Sequence, residues 1–214
     1  MRLTRNGHAC VRLERDGVVI VIDPGFYSDP EVLGGADAVL VTHEHGDHFD
    51  EPVLRAAAEV DPGLRIWANQ SVAGRLDGLG GGRVTVVGGG DAFDIEGIGV
   101  EAHGELHAVV HPDLPRVTNV GFLVEGAVFH PGDAFTVPAR PVDTLLVPVH
   151  GPWSKTAEVI DYVREIKPRG ALSIHDCGLS ESGNALADDM LKACLRDVGT
   201  DYQRVASGSG IELT

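Results

Sequence analysis

Apolar positions along the chain come in short runs, broken repeatedly by Gly, Pro, Asp and Asn. HACVRLERDG alternates apolar and polar residues and ends in Asp16-Gly17, a hairpin dipeptide, before the unbroken run VVIVID. Alternation predicts a half-buried strand, and the unbroken run a strand covered on both faces. ADAVLVT, LRIWA, RVTVV, GIGVEA, NVGFLVEG, AVFHPGD, TLLVPV and ALSIHD read as further strands. A helix is expected from near Asp50, with Pro52 in its first turn, through VLRAAAEV, and a short one in QSVAGRLDGL. SKTAEVIDYVREIKP predicts a third, capped by Ser154 without a capping-box glutamate and stopped by Pro168. Its Ala157, Ile160, Val163 and Ile166 recur at helical spacing and should face a sheet. NALADDMLKACLRDV predicts a fourth. Strand-rich halves, each with helices after them, imply two packed sheets with helices outside. The glycine clusters at Gly80 to Gly82 and Gly88 to Gly90 read as turns, without the spacing of a phosphate-binding loop.

No repeat, low-complexity segment or long linker interrupts the 214 residues, so a single domain over residues 1–214 is expected. No apolar run approaches the ~20 residues of a membrane span, and the first residues lack a signal-peptide core. The cytoplasm is therefore the expected location. Cys10, Cys177 and Cys194 form no CxxC pair and are odd in number, which argues against disulfides and thiolate zinc sites. Cys177, two residues after His175, is the one placed to line a pocket. The formal charge of −15 disfavours nucleic acid and anionic membranes as partners and leaves a small-molecule substrate.

The strongest chemical signal is THEHGDH, directly after the apolar ADAVLV. His43 and His45 alternate and can point together, Gly46 permits a tight turn, and Asp47 and His48 then face another way. One loop can thus give two ligands to one metal and two to its neighbour. Imidazole and carboxylate without thiolate suit zinc, manganese or iron.

HEHGDH fits the H-x-H-x-D-H signature of the metallo-β-lactamase superfamily, and the resemblance extends in order along nearly the whole chain. GHACVRLERDGVVIVIDPG resembles the family's opening hairpin, HPGDAF its Gly-Asp loop, and SIHD its final histidine strand. The Gly-His-Ala opening and short length resemble the ascorbate-6-phosphate lactonase-like branch. The resemblance implies a four-layer αββα sandwich of metallo-β-lactamase type. It also implies two divalent metal ions, zinc first, with manganese or iron as alternatives. His43 and His45 would hold the first ion with a third histidine, and Asp47, His48 and His175 the second. Asp133 would bridge both, and Asp47 and Asp133 would be the catalytic carboxylates. The implied reaction is cleavage of a small ester, lactone or phosphodiester by a hydroxide bridging the two metals. Two other readings are a mononuclear-iron oxygenase of persulfide dioxygenase type and a non-catalytic metal-binding protein. Relatives of the lactonase-like branch often assemble, so a homo-oligomer is an expectation.

For the third histidine VEAHGELHAVVHP offers His103, His107 and His111; the turn at Gly104 after a strand favours His107. His8, His150, Trp153, Lys155 and Arg116 are candidate substrate contacts, and Phe26 and Tyr27 are further candidate pocket residues. His130 reads either as a residue behind a ligand or as a plain strand end. Asp176, beside His175, reads most simply as solvent-exposed.

Overall fold

The computed structural model describes residues 1–213. Two seven-stranded sheets form its centre. The first contains β1 (Arg2–Arg5), β2 (Val11–Arg15), β3 (Val18–Ile22), β4 (Ala38–Val41), β5 (Arg65–Ala68), β6 (Val84–Val86) and the last strand, β14 (Gly210–Glu212). Their order is β14-β1-β2-β3-β4-β5-β6. The second contains β7 (Ala92–Ile95), β8 (Ile98–His103), β9 (Gly121–Val124), β10 (Val128–His130), β11 (Thr144–Pro148), β12 (Gly170–Ile174) and β13 (Asp201–Gln203). Their order is β13-β12-β11-β10-β9-β8-β7. Each sheet is antiparallel at its start and parallel from β3 or β10 onward. Parallel neighbours need crossovers, and four of the six are made by α-helices. These are α1 (Glu51–Val60) and α2 (Gln70–Arg75) on the first sheet, and α3 (Thr156–Ile166) and α4 (Glu181–Leu195) on the second.

Period-two side chains explain why β4 and β11 are buried throughout. Ala38 and Leu40 enter the core between the sheets, whereas Val39 and Val41 enter the core under α1 and α2. Likewise Leu146 faces the first sheet, and Leu145 and Val147 pack beneath α3 and α4. Three cores in series give the four layers of an αββα sandwich. The expected hairpin forms at Asp16-Gly17, both at positive φ (52° and 89°).

Several boundaries differ from expectation. α3 is capped at Lys155, not Ser154; counted from Lys155 the third helical residue is Glu158, whose Oε2 accepts the Lys155 N–H at 3.0 Å. Its buried stripe is Val159, Tyr162 and Val163, while Ala157 is exposed. α4 starts earlier than expected because Ser180 caps it, accepting the Gly183 N–H at 3.1 Å. Among the described residues, no helix is long and apolar enough to cross a membrane.

Candidate metal centre

The loop after β4 leaves the carboxyl end of a parallel strand, where open α/β sheets bind ligands. Its turn is closed by the His45 carbonyl, which accepts the His48 and Phe49 N–H groups at 3.0 and 2.9 Å. Phe49, 2% exposed, anchors the loop in the core beneath α1. The turn splits the four ligand-type side chains as expected. His43 and His45 meet His107, and Asp47 and His48 meet His175 and His8; within each group the donor atoms lie within 4.8 Å of one another. His107 follows β8, Asp133 follows β10 and His175 follows β12, so the second sheet supplies the other half. Asp133 stands between the groups. Its Oδ1 is 3.1 Å from His48 Nε2, and its Oδ2 is 3.0 Å from His175 Nε2 and 3.4 Å from His107 Nε2.

Four of the ligand-type rings are aimed by their Nδ1 nitrogens, and His45 Nδ1 lies 3.0 Å from His43 Nε2. His48 Nδ1 donates to Asp23 Oδ2 at 2.6 Å, His107 Nδ1 to the Ala108 carbonyl at 2.6 Å, and His175 Nδ1 to the His150 carbonyl. His43 Nδ1 donates to the Thr42 hydroxyl at 3.0 Å, which in turn donates to Asp23 at 2.7 Å. Every one of these contacts leaves an Nε2 lone pair facing inward. Nε2 of His48, His107 and His175 and Oδ1 of Asp133 are buried without a hydrogen-bond partner. An unsatisfied buried polar atom costs about 1–3 kcal/mol, so a cluster of them needs a cation to account for it. The residues fit a divalent metal with nitrogen and oxygen ligands.

The electrostatics agree. Burial alone would raise the Asp133 pKa, but His48 and His175 hold it well below the usual carboxylate range. Burial would lower His48, yet Asp133 and Asp23 raise it well above an ordinary imidazole. His175 is likewise raised to about 9, Asp133 and Asp47 outweighing burial. His43 goes the other way, lowered by burial and then by His48. The carboxylates draw positive charge into a dry site.

The remaining candidates are placed as follows. His103 sits apart on β8, 3.5 Å from Glu101 and edge-on to Phe129, and His111 is an exposed loop residue. His130 is buried, donating from Nε2 to the Ala9 carbonyl at 2.8 Å and accepting the Gly132 N–H at 3.1 Å, which braces the Gly-Asp loop. Trp153 is buried, and its Nε1 donates to Asp133 Oδ2 at 3.0 Å. Lys155 is not brought in, being exposed and paired with Glu158 at 3.1 Å. Arg116 is exposed, and its Nε donates to the His107 carbonyl. Phe26 and Tyr27 are exposed, with the Tyr27 ring 5.3 Å from His8. Asp176 is a correction: it is 5% exposed and held between Arg5 and Arg204. Sequence reasoning missed Asp23, Thr42 and Asn119. Asn119 accepts the Asp133 N–H at 2.9 Å and donates to the Pro131 carbonyl at 2.8 Å. A charged residue ending the buried run VVIVI was the available signal for Asp23.

An αββα sandwich with a histidine–aspartate centre at the seam of its sheets defines a class. The family model for the beta-lactamase superfamily domain matches residues 2–175, and the chain belongs to that superfamily. A protein of Mycobacterium tuberculosis is 36% identical over 181 residues, covering 82% of this chain and 84% of its own. A metal-dependent hydrolase of Methanopyrus kandleri is 30% identical over 145 residues, 62% of each chain. The structure of a metallo hydrolase from Ignicoccus hospitalis superposes with a TM-score of 0.77 at 18% identity, over 100% of this chain and 99% of the other.

Proposed function

We propose that the chain is a dinuclear hydrolase of small esters, lactones or phosphodiesters. His43, His45 and His107 would hold one ion, Asp47, His48 and His175 the other, and Asp133 would join both. The observation that carries this reading is the position of Asp133, one oxygen toward His48 and the other toward His107 and His175. When bound, two divalent ions supply a water ionised near neutral pH and a Lewis acid for the carbonyl or phosphoryl oxygen.

The chain's own residues do the rest. Trp153 and Asn119 fix the Asp133 carboxylate and its backbone, and Asp23 fixes His48 and, through Thr42, His43. Asp47, half at the surface of the centre, can accept a proton from the attacking water and orient it. Beside His45 and His107 opens a cavity of about 280 Å³, lined by Val109, Val110, Leu114 and Arg116. This is near the lower end of ligand-pocket volumes, which supports a compact substrate with an apolar group. Arg116 at the rim suits a carboxylate or phosphate on that substrate.

The test is metal analysis with Asp133→Ala. About two zinc or manganese ions per wild-type chain, lost together with hydrolysis in the variant, is the expected result. Unchanged metal content and activity in Asp133→Ala would remove the bridge. A single iron with oxygen consumption would replace hydrolysis by oxygen chemistry.

A further inference from the structure

His8 lies among the second group of donors, with Asp47, His48 and His175, and its Nε2 is buried without a hydrogen-bond partner. By position it reads as one more metal ligand. Its hydrogen bonding argues the opposite. The Cys177 backbone N–H donates to His8 Nδ1 at 3.1 Å. A backbone amide can only donate, so Nδ1 must present a lone pair, and an imidazolium is excluded as well. The ring's one proton is then on Nε2, where a metal would need a lone pair. His48, His107 and His175 have the reverse arrangement, each donating from Nδ1.

The tautomer is built in by the backbone. His175 N–H donates to the His8 carbonyl at 2.7 Å, while Cys177 N–H holds the ring. His175 has φ of +57°, and a left-handed residue turns neighbouring amides toward one point. The segment after β12 therefore grips His8 at both backbone and side chain. The ring also lies 3.9 Å from the His175 ring, which limits its rotation. Moving the proton to Nδ1, so that Nε2 offered a lone pair, would leave the Cys177 amide facing a second N–H.

We infer that His8 binds no metal and is the positioning residue for Asp47, its Nε2–H directed at Asp47 Oδ2, 3.4 Å away. The inference rests on the proposed role of Asp47 as a ligand of the second ion. Asp47 is 26% exposed at its side chain, so a small turn of its carboxylate aligns the contact. One oxygen is then committed to His8 and the other is left for the ion and its water. Nε2 itself is closed to solvent, which keeps it from acting on substrate directly.

The experiment is long-range ¹⁵N–¹H NMR of histidine-labelled, zinc-loaded protein, together with zinc titration of His8→Ala and His8→Gln. The expected spectrum has His8 protonated at Nε2 and bare at Nδ1. His8→Ala should still take two ions at saturation, the second about 10–100-fold more weakly, as for loss of a residue that orients a ligand. His8→Gln, whose amide nitrogen reaches the Nε2 position, should recover most of that affinity. A bare, metal-shifted Nε2, a stoichiometry lowered by one ion in His8→Ala, or no recovery in His8→Gln would overturn the inference. The tautomer is read on the unaltered chain and stands even where a variant does not fold. Wild-type protein taking fewer than two ions would overturn the dinuclear reading and this inference with it, a result distinct from two ions with a bare Nε2.

Discussion

Asp23→Asn is the most informative single change, because it alters charge and donor pattern while keeping shape. Asp23 is fully buried and accepts three hydrogen bonds: Thr42 N–H at 2.8 Å on Oδ1, and Thr42 Oγ1 at 2.7 Å and His48 Nδ1 at 2.6 Å on Oδ2. An asparagine amide has one acceptor end. Its less costly orientation keeps the oxygen on Thr42 Oγ1 and His48 and sets its NH₂ against the Thr42 N–H. An unsatisfied buried donor of this kind costs about 1–3 kcal/mol. At about 2–4 °C per kcal/mol for a chain of this size, Tm should fall by roughly 2–12 °C. The bond to His48 also loses its charge, and weakening a partner behind a ligand lowers metal affinity by about 10–100-fold. Thermal unfolding of chelated protein reads the first effect. Zinc competition against a chromophoric chelator reads the second. A variant with lowered Tm but zinc affinity within about twofold of wild type would refute the reasoning, since Asp23 would then brace the fold and not the centre.

Gly25→Ala should damage the same loop from behind. An added Cβ would fall 1.9 Å from the Asp47 carbonyl oxygen and 2.5 Å from His48 N, so the backbone carrying two ligands must move. Zinc affinity should drop along with about 1–3 kcal/mol of stability, and wild-type titration curves would contradict this. Acid stability should depend on Asp188. Burial would raise its pKa, but hydrogen bonds from Arg204 at 2.8 Å and Tyr202 at 2.7 Å lower it. A depressed carboxylate contributes stability above its unfolded pKa of about 3.9 and loses it as pH falls through the folded value. Asp188→Asn should therefore flatten the acid limb of the stability curve below about pH 4, and an unchanged limb in pH-dependent unfolding would count against the pair.

Local pattern carried much of this fold. The hairpin at Asp16-Gly17, the apolar runs of β3, β4 and β11, and the Asp50 cap of α1 announce themselves in a few residues each. What escaped were β1, β7, β13 and β14, strands of three or four residues such as RLTR and DYQ. Their pairing partners, not their own composition, make them strands: β1 is held by β14 across nearly the whole chain. The centre divides in the same way. HEHGDH is contiguous and legible; the turn at Gly104 favoured His107 over His103 and His111, and it is the His107 ring that reaches His43 and His45. Asp23, Asn119 and Trp153 owe their roles to tertiary neighbours. Asp176 misled because its two arginines lie at opposite ends of the sequence.

The division of the centre between the sheets has a mechanical side. His43, His45, Asp47 and His48 hang from the first sheet, and His107, Asp133 and His175 from the second. An ion gripped by both sets would act as a rivet across the seam, so its binding free energy would strengthen the docking of the halves rather than either half alone. Prying the sheets apart would release the ion, and withdrawing the ion would loosen the joint. Metal uptake and closure of the sandwich would then be one equilibrium, visible from either side.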